Sequence, residues 1–99
     1  MNRAPDLVRF VERVERARDA VLRAAKRLYR ARRRAQLAVT EHVCSGYSAD
    51  AGRKLGDANE AEANAAEALD VVTGDLYRAE SAARKAGRAR LLGEVTRGQ

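Results

Sequence analysis

The chain contains one imidazole and one thiol, His42 and Cys44, the residue types from which a nucleophile and its base would be built. They stand two apart, and on a helix such side chains diverge by about 200°, so their heads cannot converge on one substrate atom. Packing beside a turn is the role their spacing supports. The acids of ANEAEANAAEALD, residues 58–70, are the other candidates for acid and base work, and their pattern reads as the solvated face of a helix. No E-x-x-H occurs, which argues against a di-iron carboxylate bundle. GRKLG at 52–56 has no strand before it, which argues against a phosphate-binding glycine loop. A lone cysteine allows neither an internal disulfide nor a thiolate metal cluster within one chain. The expectation is a non-enzymatic protein without cofactor or metal, in a reducing, cytoplasmic setting.

The remaining chemistry is electrostatic. Twenty Lys and Arg, 17 of them Arg, stand against 14 acids and give a formal net charge of +6. Arg9, Arg16, Arg23 and Arg30 recur every seven residues, joined by Lys26 and Arg33. Such a stripe can contact the phosphates of DNA or RNA, or another anionic surface, by a salt-sensitive mechanism. Tyr29 is the only aromatic near it, so base stacking is poorly supported.

These residues need long helices to carry them. Of 99 residues 21 are Ala, while Leu, Val and Phe together make 19 and neither Ile nor Trp occurs. So little bulk lies at the edge of the disordered class, yet Ala, Arg, Leu, Glu and Lys are the strongest helix formers. The one proline is Pro5, so nothing interrupts a helix beyond the first turn. The length suits one small domain, and no run approaches the roughly 18 apolar residues of a membrane span. The N-terminus lacks the apolar stretch of a signal peptide, so the chain as given reads as soluble and unprocessed.

From residue 5 to 44 apolar residues recur at alternating spacings of three and four: Leu7, Phe10, Val14, Ala17, Val21, Ala24, Leu28, Ala31, Ala35 and Ala38. This is the a/d seam of a coiled coil. Asn2 or Ala4 would cap the helix, with Pro5 in the first turn and Asp6 meeting the positive end of its dipole. Cys44-Ser45-Gly46-Tyr47-Ser48 then reads as a turn at 45–48, Gly46 taking the left-handed conformation and Ser48 capping the next helix. Asp57 with Glu60 offers a later start through a capping box. Helix 2 continues the heptad from about 49 to 92 through Leu55, Ala58, Ala65, Leu69, Val72, Leu76, Ala79, Ala83 and Ala86, leaving a frayed tail at 93–99.

A short turn makes the helices antiparallel, so facing positions sum to about 97. Leu28 then meets Leu69, Val21 meets Leu76 and Val14 meets Ala83. Charge agrees: residues 23–34 carry seven bases and no acid, while residues 60–75 carry five acids and no base. The fold expected is all-α, a long antiparallel two-helix hairpin. A three-helix bundle broken near Gly74 is the competitor.

Helices of roughly 40 residues, about 60 Å long, bury little along a seam dominated by Ala. A second apolar stripe on helix 1, Val8, Val11, Leu22, Ala25, Tyr29, Val39 and Val43, lies outside the seam, with Ala61, Ala68, Ala82 and Ala89 on helix 2. One reading is a broad single seam. The favoured one is that a partner covers these residues, another copy or another helical protein, completing a four-helix bundle.

In length, two helices and a mid-chain turn, the chain resembles in outline the Trp-x-Gly type VII secretion substrates, with Cys44-Ser45-Gly46 where their Trp-x-Gly sits. The tryptophan is absent, and the fourth residue after Tyr77 is Ser81, with Glu80 one position early for their Tyr-x-x-x-acid signal. No functional residue is carried over. The expected function is helical interaction and assembly, as in a phage or bacterial accessory or structural component. The alternatives are a polyanion-binding module and a divergent type VII-like hairpin.

Overall fold

The computed structural model describes residues 6–97, in which two helices, α1 (Leu7–Cys44) and α2 (Ala49–Arg97), pack against each other as an antiparallel hairpin. The molecule is a rod measuring 79 × 14 × 14 Å. At 1.5 Å per residue α1 is about 57 Å long and α2 about 74 Å, so α2 alone nearly spans the rod. It passes through Gly74 without a break and reaches Arg97, beyond the end at 92 expected from the sequence. The hairpin holds and the three-helix bundle does not.

Local chemistry sets the helix ends. Asp6 itself is the N-cap of α1: its backbone is extended and its carboxylate accepts from the Val8 amide at 3.1 Å. This revises its expected place in the first turn; Asn2, Ala4 and Pro5 lie outside the described residues. At the other end Tyr47 N donates to His42 O at 2.8 Å and Gly46 N to Val43 O at 3.1 Å. That pair of bonds is a Schellman motif, and it satisfies carbonyls that the last turn leaves open. Gly46 is left-handed at φ 69°, as expected, and Tyr47 follows it at φ 63°. Ser48 caps α2, its hydroxyl accepting from Ala51 N at 3.2 Å. The capping-box start at Asp57 is therefore not used, and Asp57 and Glu60 are exposed mid-helix residues.

The seam contains no buried polar or charged residue among those described. Val14, Leu28, Ala35 and Ala38 of α1 are buried against Ala51, Ala58, Ala65, Ala79 and Ala86 of α2. The α2 alanines fall every seven residues, with half-buried Val72 filling the missing step. A methyl group is covered only when the opposing helix comes close, so this core depends on near approach of two backbones. Val21, Leu69 and Leu76 are only half-buried. The register agrees with the expected pairing, since Val14 and Ala83 line one groove and Arg32 bonds Glu62 across the seam at 3.4 Å.

Candidate interaction surfaces

Around α1 the heptad assigns each side chain an edge of the rod. Leu7, Val14, Leu28 and Ala35 occupy the a positions facing α2. One step further round lie the b and e positions, which hold the second apolar stripe. The structure leaves all of it uncovered: Val8 is 63 % exposed, Leu22 60 % and Tyr29 66 %, with Val11, Val39, Val43 and Ala25 also exposed. Charge divides the stripe into three patches. Glu15 and Arg18 separate Val8 and Val11 from Leu22, Ala25 and Tyr29, and Arg32 and Gln36 separate those from Val39 and Val43. On this edge Val11, Val14, Glu15 and Arg18 form a groove with Glu80, Ala83 and Arg84 of α2.

The alanine stripe of α2 does not continue that surface. Ala61, Ala68 and Ala82 are half-buried flanks of the seam, and only Ala89 is exposed. Ala61 lies on the opposite edge, in a groove with Arg27, Arg30, Ala31, Arg34, Asn64 and Ala65. With Leu55, Leu69 and Leu76 at a, these alanines hold the g positions of α2, and in an antiparallel pair those lie beside the g positions of α1, Arg27 and Arg34, on the edge away from the b and e stripe.

Arg9, Arg16, Arg23, Lys26, Arg30 and Arg33 are all exposed, and among the described residues none of the six is ion-paired. The acids expected to face them stay at a distance. Only Arg32 with Glu62, and Glu41 with Lys54 at 3.6 Å, bridge the two helices among the described residues. Exposed pairs of this kind contribute about 0–1 kcal/mol each. Reading from the sequence missed Arg27 and Arg34, which join Arg30 along the opposite groove. Their g positions, flanking the seam, were the available signal.

His42 and Cys44 do not meet. Cys44 is exposed, whereas His42 turns inward over Gly52 and sets its ring edge-on to Tyr47 with centroids 5.2 Å apart. A Cβ at position 52 would stand 3.2 Å from His42 Cε1, so the absent side chain makes room for the imidazole. His42 Nδ1 is buried without a hydrogen-bond partner. The ring contact also links the two residues that the Schellman bond joins, the usual apolar companion of that motif. Among the described residues no helix is long and apolar enough to cross a membrane. No family model matches the chain, and no curated protein or solved structure matches it either.

Proposed function

We propose that this hairpin is a non-enzymatic assembly protein that works by packing the b/e edge of α1 against another helical surface. The observation that carries this reading is the row of exposed apolar side chains, Val8, Val11, Leu22, Tyr29, Val39 and Val43, on one edge of a rod whose own core is mostly methyl groups. Burying one such large side chain is worth about 1.5–3 kcal/mol at most, so a partner covering several adds substantially to the stability of a thin hairpin. Completion of a four-helix bundle accounts for both the exposed stripe and the sparse core.

Sedimentation and circular dichroism of the L22A/Y29A double variant test it. The native chain is expected to sediment above monomer mass, and the variant to shift toward monomer while staying helical. A native chain that is monomeric, with a melting temperature independent of concentration, overturns the reading.

The six unpaired bases favour a second reading, a polyanion-binding module in which Arg9, Arg16, Arg23 and Arg30, with Lys26 and Arg33, contact the phosphates of nucleic acid. Its signature is an affinity for DNA or RNA that falls steeply as salt rises from about 50 to about 200 mM. A helix-packing partner is not expected to show that dependence.

A further inference from the structure

The exposed edge of α1 has an internal symmetry. Read from either end toward its middle, it presents the same order of chemistry: a valine pair, polar and charged residues, then a large apolar side chain beside Ala25. Val8 and Val11 at one end match Val43 and Val39 at the other. Glu15 matches Gln36, Arg18 matches Arg32, and Leu22 matches Tyr29. Matched positions are equidistant, within a residue, from a point at Ala25.

We infer that two copies of this chain pair through α1 in antiparallel register, about a twofold axis beside Ala25. This deepens the assembly reading above and rests on it. A twofold interface is isologous: if residue i of one copy touches j of the other, then j touches i. An edge that binds itself antiparallel must therefore be complementary to its own reverse, apolar side chains falling opposite apolar ones, whereas an edge fitted to an unrelated helix has no such requirement. In this register all three apolar patches are covered at once: Val8 and Val11 meet Val43 and Val39 at both ends, and Leu22 meets Tyr29 twice around the axis. A shift by one heptad keeps a single central apolar contact, Leu22 on Leu22 or Tyr29 on Tyr29, and sets the other large side chain against Glu15 or Gln36.

The charged gaps fall opposite each other too. Glu15 of one copy faces Gln36 of the other and lies about one turn from Arg32. The like-charged Arg18 and Arg32 also approach, and Arg32 is already held by Glu62 of its own chain at 3.4 Å. At the level of the axis α2 offers small side chains on this face, Ala66 and Thr73. The Thr73 hydroxyl donates to Leu69 O at 2.7 Å, so its methyl is left for the contact.

Cysteine cross-linking in a Cys44→Ser background tests the register, because the exposed native thiol is removed first. Val8→Cys mixed with Val43→Cys is expected to form a disulfide-linked pair under mild oxidation, and Ala25→Cys to link to its own copy. Val8→Cys alone should not, since two such residues would stand about 50 Å apart along the antiparallel pair. Sedimentation of each variant before oxidation shows whether assembly survives the substitution. Efficient self-linking of Val8→Cys means a parallel pair and overturns the inference while leaving assembly through this edge intact. Assembly without the Val8–Val43 and Ala25 links overturns it as well. A chain monomeric at every concentration removes both the inference and the assembly reading beneath it.

Discussion

The turn end and the open end of the hairpin are built from the same amino acids to different standards. Around the turn, Ala35, Ala38, Ala51 and Ala58 are buried within a short stretch, the Schellman bonds and the Ser48 cap satisfy backbone groups, and His42 fills the space above Gly52. Toward the open end the seam thins to Val14, Ala79 and Ala86, with Val8 and Val11 exposed. Ordering the chain costs entropy at every residue in both places, but only the turn end recovers it with many short-range constraints. The difference shows that a regular heptad does not confer uniform stability. Local stops and close approaches decide where the rod is firm.

Substitution at Gly52 should break the contrast most. In Gly52→Val the new side chain would drive into the imidazole, which is bounded on its other side by Tyr47. Overpacking of this kind costs about 1–3 kcal/mol, read by chemical denaturation, and the His42 ring resonances should move in NMR spectra. A variant as stable as the native chain would mean that the imidazole is not confined.

Removing the cap has a smaller effect. Ser48→Ala leaves the Ala51 amide without its acceptor and should lower stability by about 1 kcal/mol, also by denaturation. Hydrogen exchange should speed up first in the opening turn of α2.

At the open end the sign reverses. A Cβ at Gly87 would meet nothing within 4 Å, so Gly87→Ala restricts the unfolded chain and favours the helix without a clash. A gain of about 0.5–1 kcal/mol is expected in thermal or chemical unfolding. Should Gly87→Ala destabilise instead, the open end is packed more tightly than its exposure implies.

The architecture was legible because it rests on one-dimensional signals. The alternation of apolar residues from Leu7 to Ala38 fixed the seam, Gly46 and Ser48 marked the turn, and the numbering of opposed residues gave the register. The exposed stripe was legible too, since heptad position alone put Val8, Leu22 and Tyr29 off the seam. Other features depend on three-dimensional adjacency. Gly52 reads in sequence as a weak first turn, and only the approach of His42 from the other helix gives it a purpose. Tyr47 has no sequence mark for a left-handed backbone, because its conformation is carried by the bonds around Gly46 and by the ring of His42. Leu37, Val71 and Tyr77 are more than half exposed on outward faces, and composition alone gave no reason to separate them from core residues. The alanines of α2 misled for another reason: a periodic row was visible, but its g positions flank Arg27 and Arg34 on the edge away from the b and e stripe of α1.

A single connection has a kinetic consequence. Contacts across the seam range from His42 with Gly52, ten residues apart, to Val14 and Ala83, separated by 69. The entropy of closing a loop grows with its length, so the short closures at the turn form first and each shortens the next. The chain is thus ordered as a zipper, with folding starting at Gly46 and running outward, and opening starting where α1 begins. Because contacts are added stepwise from a local nucleus, the topology lets even a 79 Å rod fold rapidly without a search for distant partners.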